Sequence, residues 1–341
     1  MVPAEEPVCE AAGGEVERLV AAAEEPPLTL AGTALLVLPF VLWGTSMVAM
    51  KQLLPPGDAA DLDAGALSPL FVAAVRLLPS GALLVAFAAA RGRALPASPA
   101  AWAAVALFGL VDGTAFQGCL AQGLERTSAG LGSVIIDTQP LTVAVLAALL
   151  FGERVAPRGV AGLLLGVVGL LVLEAGGAGG APLPAAAGLW ERGEWWMLLA
   201  AQSMAVGTVM VRWVCGTLKV DPIMATGWHM LLGGLPLAAA SAAAEPALYA
   251  RLATEGLPLA DAARLAYASL LGGAVAYAAF FQAASTGSLV RLSSLTFLTP
   301  VVAAAAGFAV LGEELSLQQL AGAAITLAGI SLVTQGSGGD A

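Results

Sequence analysis

The chain has 341 residues, of which 59% are hydrophobic and 11% are charged, and its mean hydropathy is +0.87. A soluble domain needs about 25% charged residues to cover its surface, so this composition excludes an ordinary soluble protein and predicts an integral membrane protein. The formal net charge of −10 and the absence of a basic patch in the sequence argue against a nucleic-acid partner.

The first 27 residues form an acidic segment ahead of the first apolar run. Residues 1–25 contain seven Glu and one Arg, a composition that predicts a disordered tail. The segment lacks the basic start and apolar centre of a signal peptide, and it is too acidic for a transit peptide. We therefore expect either a targeting segment outside this chain or a first membrane helix that acts as the signal.

Ten segments are long and apolar enough, or nearly so, to cross a membrane, which takes about 20 residues each. They are 28–50, 69–90, 101–122, 127–150, 158–174, 195–213, 222–244, 264–285, 288–311 and 316–334. A linker rich in Gly, Pro and Ala at 175–194 divides them into two sets of five, at 28–174 and 195–334, and a short tail follows at 335–341. The sequence therefore predicts an all-α integral membrane protein with ten transmembrane helices.

The two sets of five are related by a shift of 160 residues. The shift aligns Pro140 with Pro300 and Gly152-Glu153 with Gly312-Glu313, and a shift of 153 aligns Arg76 with His229. Because five is odd, the second set must start from the opposite face of the membrane, so the sets are predicted to be inverted repeats. Secondary transporters use this arrangement and place their substrate near the midplane between the repeats.

The sequence carries no pattern for catalysis or for a bound cofactor. The three cysteines have no metal-like spacing, and the chain has a single histidine, so we expect no metal site. Phosphate-binding loops and nucleophile elbows are also absent from the sequence. These observations predict no catalytic residues, no cofactor and no enzymatic activity.

Four ionisable residues lie well inside the predicted spans: Arg76, Asp112, Asp137 and His229. Each needs a partner or a wet cavity, because a charge at the bilayer centre costs about 2.5–3.5 kcal/mol on insertion scales. Two alternatives stay open for the aspartates. One of them forms a structural ion pair with Arg76, or one of them faces a central cavity and binds substrate or a proton. His229 either bonds a helix carbonyl as a neutral ring or titrates and gates one side.

Prolines and neighbouring polar groups mark a second set of candidate residues. Pro140 and Pro300 are predicted to kink the fourth and ninth helices at matched positions, and Gln139 and Thr299 beside them are expected to line a cavity. The alternative is that the kinks only shape the bundle. Trp43 in the first helix could form a hydrophobic wall of the substrate site.

Two further features are expected to stabilise the fold. Glu153, Glu313 and Glu314 lie in turns before the last helix of each repeat and are predicted to cap helix N-termini. Gly162, Gly166 and Gly169 form a small-residue face on the fifth helix, which could pack on the fourth helix or support a homodimer.

The paired signatures FGERVAPRGVAG (151–162) and LGEELSLQQLAG (311–322), each ending a five-helix set, resemble the drug/metabolite transporter superfamily, EamA type. The segments at 39–51, 123–146, 193–214, 221–230 and 287–300 resemble its plant and cyanobacterial branch, and this likeness implies a plastid membrane; otherwise we expect the plasma membrane. The related plastid sugar-phosphate translocators use several embedded Lys and Arg, whereas this chain offers mainly Arg76. The resemblance therefore implies transport of a small, non-phosphorylated metabolite.

Basic residues set the expected orientation. The N-terminal side, called side A, carries eight of them, and the opposite side B carries five: Arg18, Arg91, Arg93, Arg154, Arg158, Arg212, Lys219 and Arg291 against Lys51, Arg126, Arg192, Arg251 and Arg264. The positive-inside rule then places both termini on the cytoplasmic or stromal side. The predicted function is export or exchange of a small organic metabolite by alternating access, with a proton carried on Asp137. The alternative is a non-transporting membrane scaffold or sensor.

Overall fold

A computed structural model describes residues 30–53, 67–124, 126, 135–175, 193–311 and 316–336. The predicted acidic tail, most of the 175–194 linker, nearly all of the C-terminal tail, and Glu313 and Glu314 lie outside these ranges. Within the described residues, all regular structure is helical. The predicted all-α class is therefore confirmed.

The described residues form ten bundle helices, labelled α1 to α10. Their bounds are α1 Leu30–Lys51, α2 Pro69–Ala90, α3 Pro99–Phe108 with Gly109–Ala115 and Phe116–Leu124, α4 Gln139–Phe151, α5 Pro157–Ala175, α6 Gly193–Thr217, α7 Pro222–Ala244, α8 Leu259–Ser269 with Leu270–Val275 and Ala276–Thr286, α9 Leu289–Ser294 with Leu295–Phe297, Leu298–Ala306 and Gly307–Leu311, and α10 Leu317–Gly336. Eight of them are long and apolar enough to span a membrane, and α4 and α5 are shorter apolar helices. A short exposed helix at Pro246–Glu255, which the sequence did not predict, joins α7 to α8.

Three of these helices begin with the same signal, a polar capping side chain followed by proline. The capping oxygen accepts backbone N–H groups of the first turn, and proline at the next position needs no N–H there. The pairs are Ser68-Pro69 before α2, Ser98-Pro99 before α3 and Asp221-Pro222 before α7, with N···O distances of 3.0–3.2 Å. These signals fix where the helices enter the bundle.

The two halves interlock through contacts that exchange under a two-fold relation. Helices α2 and α7 occupy equivalent places in the repeats and pack on each other, as do α5 and α10. The contact of α1 with α9 has its counterpart in α6 with α4, and that of α3 with α6 in α8 with α1. This exchange is what the predicted repeats require.

The glycine face of α5 packs on α10. A Cβ added at Gly162 would lie 2.7 Å from the Gly329 carbonyl oxygen, and one at Gly169 would lie 2.4 Å from the Thr326 amide nitrogen. Gly166 faces the ring of Phe297 on α9 in the same way. The sequence offered α4 or a second copy of the chain as the partner of this face. Both expectations were wrong, because α10 covers the face. The homodimer itself stays a prediction that needs another surface.

Four helices are irregular at equivalent positions. Helices α3 and α8 each contain a π-helical segment, at Gly109–Ala115 and Leu270–Val275. Helix α4 begins at Gln139 after a turn at residues 137–138, and α9 narrows to a 3₁₀ turn at Leu295–Phe297. Pro140 and Pro300 therefore stand at restarts of interrupted helices, where proline needs no N–H partner, and not at bends within continuous ones. Such interruptions in transporters mark the region around the substrate.

Candidate functional site

An aspartate and a histidine from different repeats meet inside the bundle. Asp112 lies in the π segment of α3 and His229 lies on α7, and the Asp112 Oδ2 and His229 Nε2 atoms are 3.2 Å apart. The side chains are 2% and 0% exposed. The approach is a short ionic contact rather than an aligned hydrogen bond, and neither atom has another hydrogen-bond partner.

Glycines make room for this contact. A Cβ added at Gly207 on α6 would lie 2.3 Å from the Asp112 Oδ1 atom, closer than real Cβ atoms approach. At Gly109 it would lie 2.8 Å from the His229 carbonyl oxygen, and at Gly233 it would lie 2.4 Å from the Gly109 carbonyl oxygen. The sequence analysis did not assign these glycines to the site, yet their lack of side chains allows α3, α6 and α7 to converge there.

The second ring nitrogen of His229 limits how many protons the pair can share. Nδ1 lies 2.6 Å from the Thr226 carbonyl oxygen, which can only accept, so Nδ1 carries a proton. Nε2 and the Asp112 carboxylate can then share one further proton. With it, the pair is attractive; without it, two lone pairs face each other across 3.2 Å in a buried site. The predicted bond from His229 to a helix carbonyl is confirmed, and the same ring also contacts an acid.

Aromatic side chains enclose the pair. The Phe108 ring stacks on His229 with centroids 4.2 Å apart, and the Phe281 ring meets it edge-on at 5.3 Å. Beyond them, Trp43 packs on Tyr277 at 5.1 Å and donates its indole N–H to the Gly272 carbonyl at 3.0 Å. Trp43 thus lies in the wall of this region, as a cavity-lining role would require.

Tyr277 connects the two repeats at their pseudo-two-fold axis. The Gln117 amide donates to the Tyr277 hydroxyl at 3.1 Å, and these residues are 160 positions apart. Residues that are equivalent in two repeats can touch only near the axis that relates them. Polar residues at both equivalent positions were a signal in the sequence, and the sequence analysis missed it.

Arg76 on α2 makes no ion pair within the part of the chain that the structure describes. It is 9% exposed, its guanidinium forms no hydrogen bond or ion pair with any residue the structure describes, and its buried Nε has no acceptor. The alternative that pairs Arg76 with Asp112 or Asp137 therefore has no such contact among the described residues. Asp112 turns instead to His229, because the π segment and Gly207 hold it against α7.

The interrupted starts of α4 and α9 touch each other. Asp137 is 8% exposed, and Gln139, which is fully buried, donates weakly to the Thr296 hydroxyl at 3.5 Å. The Gln139 amide oxygen and the Thr299 hydroxyl are buried without a hydrogen-bond partner. The expectation that Gln139 and Thr299 line a cavity stays a prediction, and so does a role for Asp137 in transport.

Acidic residues join the two repeats at each end of the bundle. At side A, Glu153 accepts hydrogen bonds from the Ser288 hydroxyl and from the backbone N–H groups of Leu289 and Val290, and lies 3.6 Å from Arg212. Glu153 does cap a helix, but that helix is α9 of the other repeat and not the adjacent α5.

The matching contact at side B uses a carboxylate of the opposite repeat. The Glu153 and Glu245 contacts are called the two closures below. Glu245 follows α7 and accepts from the Ser68 hydroxyl, the capping group of α2, at 2.5 Å. Ser241 donates to the same carboxylate oxygen at 2.7 Å. Both ends of the bundle are therefore closed by a carboxylate from one repeat on the first turn of a helix from the other.

The arrangement is that of an integral membrane protein of ten helices in two repeats, with a buried acid–base pair between them. The sequence profile of the EamA-like transporter family matches residues 30–174 and 191–335. The chain therefore belongs to the EamA-like transporter family.

Relatives with this architecture occur in plants and bacteria. The chain is 54% identical to the WAT1-related protein At3g02690, chloroplastic, of Arabidopsis thaliana, over 89% of this chain and 70% of that protein. It is 46% identical to the Synechocystis uncharacterized transporter sll0355, over 88% of both chains. A solved crystal structure superposes with a TM-score of 0.72, covering 90% of this chain and 98% of that one; at 18% identity it supports the fold alone.

Proposed function

We propose that this protein moves a small organic metabolite across a membrane by alternating access, with the transport site between the two repeats. The observation that carries the proposal is the buried Asp112–His229 contact, which joins α3 of one repeat to α7 of the other. Ionisable side chains inside a membrane are costly to insert and characteristically mark substrate or ion pathways, which supports a transport role for this pair. The chloroplastic relative supports a plastid membrane. The basic-residue bias supports both termini on the stromal or cytoplasmic side.

Proton coupling is part of the proposal. The Asp112–His229 pair holds one shared proton while α3 and α7 are in contact, and rocking of one repeat against the other separates the partners. Separation removes the contact across which the proton is shared, so in the proposed cycle the pair binds the proton in one conformation and releases it in another. This assigns the proton to Asp112 and His229 in place of Asp137.

The two closures supply the alternation. Because side A is held by Glu153 and side B by Glu245, opening either side breaks one closure and keeps the other. With both formed, the bundle is closed at both ends. In the proposed cycle, the form with both closures present is the occluded intermediate.

Transport itself is tested by reconstituting the full chain in liposomes and measuring counterflow over a broad panel of labelled metabolites. We expect at least one organic solute to exchange above protein-free vesicles, and its uptake to accelerate under an imposed pH gradient. Absence of flux across the panel would favour the scaffold or sensor alternative. Flux that ignores the pH gradient would remove proton coupling and leave transport standing.

The closures give a separate prediction about conformation. Glu153→Ala removes a helix cap worth about 0.5–2 kcal/mol and should favour the form that is open at side A. Cys215 lines a cavity of about 530 Å³ at that side, so a membrane-impermeant maleimide should label it faster in this variant. The measurement uses a background with Cys9 and Cys119 replaced by Ser. The matched variant Glu245→Ala should leave the rate unchanged or slow it, and faster labelling in both would contradict the assignment of the two closures.

A further inference from the structure

The repeat symmetry relates Arg76 to His229 in space as well as in sequence. A Cβ added at Gly113 would lie 3.3 Å from the His229 carbonyl oxygen, and one at the equivalent Gly273 would lie 3.4 Å from the Arg76 carbonyl oxygen. Ser80 on α2 donates to the Ser269 carbonyl of α8 at 2.7 Å. The packing of α2 on α8 therefore matches that of α7 on α3. Arg76 and His229 therefore occupy equivalent places in the two repeats.

Only one of these equivalent residues has an acidic partner. His229 meets Asp112, but the residue at the position equivalent to Asp112 is Gly272, which has no side chain to offer. Arg76 consequently lacks the carboxylate that the symmetry would place beside it, and its guanidinium has no ion pair among the described residues. Arginine cannot shed its proton to escape the cost of burial, and Asp112 is held against His229, so the guanidinium, with no acidic contact among the described residues, offers a place for an anion from outside the chain.

Two hydroxyl groups near this position also lack a complete set of partners. The Ser46 side chain packs against Gly272 and is 0% exposed, and its hydroxyl has no hydrogen-bond partner among the described residues. The Tyr277 hydroxyl accepts from Gln117 and donates to no described group, and Tyr277 lies about one turn after Gly273, the glycine that packs on the Arg76 backbone. An arginine and two hydroxyl donors form a set that recognises an oxyanion. Arg76 keeps 9% exposure where His229 has none, so its side is the less sealed of the two.

We propose that Arg76, assisted by Tyr277 and Ser46, binds the carboxylate of the transported solute, so that the substrates are small organic monocarboxylates. This rests on the proposed transport function and names its substrate class. One guanidinium neutralises one carboxylate, whereas a phosphate group carries about −1.5 to −2 charges and would exceed it. The Trp43, Tyr277 and Phe280 rings, with centroids 5.1 Å apart at both Trp43 contacts, give the rest of the solute an apolar wall.

Charge neutrality then links the carboxylate to the proton. The charges of Arg76, Asp112 and His229 sum to zero in the empty form, with Arg76 positive, Asp112 negative and His229 protonated on Nδ1 alone. Adding the carboxylate and the shared proton together also gives no net charge, whereas adding either one alone leaves a unit charge inside the membrane. Because a net charge there is costly, the empty and the doubly loaded forms are the ones that change conformation. The site thus performs one-to-one symport of a monocarboxylate and a proton.

The experiment measures binding separately from flux. The purified full chain is titrated with lactate, benzoate and phenylacetate, each against its amide, and with glycerol phosphate, while the unfolding midpoint is followed. We expect the acids to raise the midpoint and the amides to leave it unchanged. In Arg76→Gln the acids should bind about tenfold to 100-fold more weakly, with Arg76→Lys in between and the exposed Arg158→Gln unchanged.

The outcomes separate the two proposals. Carboxylate binding that depends on Arg76, without flux in vesicles, would support the anion site and contradict transport. Equal binding of acids and amides in the wild-type chain, or tighter binding of the phosphate ester, would overturn the monocarboxylate proposal whatever the flux. The comparison of acid with amide needs no variant, so it decides the question even if Arg76→Gln fails to fold.

Discussion

Replacing Asp112 with Asn should abolish accumulation of the solute under a pH gradient while preserving exchange. The Asn amide can donate permanently to His229 Nε2, which lies 3.2 Å from Oδ2 in the native chain, so it imitates the protonated pair and leaves no group unsatisfied. The empty variant then carries the uncompensated charge of Arg76 and cannot return across the membrane, whereas the loaded form still can. A one-to-one symporter concentrates its solute about tenfold for each unit of the pH gradient. This variant should instead reach equal solute concentrations inside and outside the vesicles.

The matched control for this result is Asp137→Asn. Asp137 is also a buried carboxylate, at 8% exposure, and the sequence favoured it as the proton carrier. We expect this variant to keep gradient-driven accumulation. If Asp137→Asn lost accumulation and Asp112→Asn kept it, the sequence-based assignment would be right and the structural one wrong. The measurement is the steady ratio of internal to external labelled solute in proteoliposomes.

Replacing Gly207 with Ala should impair transport by displacing Asp112. The added methyl group would lie 2.3 Å from Oδ1 and 2.6 Å from Cβ of Asp112, so the carboxylate must move away from its position against His229. Overpacking of this kind costs about 1–3 kcal/mol. This cost destabilises the Asp112–His229 contact and so lowers the fraction of molecules that hold the shared proton. The initial rate of coupled uptake then falls by about tenfold to 100-fold.

The same helix provides the control for this substitution. Gly216 lies near the end of α6, and a Cβ added there would meet nothing within 4 Å. Gly216→Ala should therefore transport at the native rate. Equal losses in both variants would show that α6 tolerates no added methyl group for reasons unrelated to Asp112. A native rate in Gly207→Ala would show that the carboxylate can shift without consequence.

The fold was predictable because its determinants are local and repeated. Apolar runs of membrane-spanning length give the helices, and the matched prolines and Gly-Glu turns give the repeat, from which inversion follows by counting. The π segments at Gly109–Ala115 and Leu270–Val275 were not predictable, because an extra residue in a helical turn leaves no mark in an apolar sequence. They matter because one of them turns Asp112 toward α7.

The site was predictable as a set of residues and not as a set of pairs. Position inside the spans singled out Arg76, Asp112, Asp137 and His229 as candidates, but it says nothing about which face of a helix a residue occupies. One alternative from the sequence paired an aspartate with Arg76, whereas helix packing through Gly207 and Gly233 brings His229 to Asp112. Tyr277 and Gln117 carry no formal charge and lie beside no proline, so neither feature singled them out, and it is their contact that places them near the axis.

The most direct test follows protons and solute in the same vesicles. Proteoliposomes holding a pH-sensitive dye are given an inward gradient of a transported carboxylate with no imposed pH gradient. The account predicts that the lumen acidifies as the labelled solute enters, with one proton for each solute, and that Asp112→Asn shows neither net uptake nor acidification while still exchanging solute. Solute uptake by the native chain at constant internal pH, or undiminished acidification in Asp112→Asn, would contradict the account.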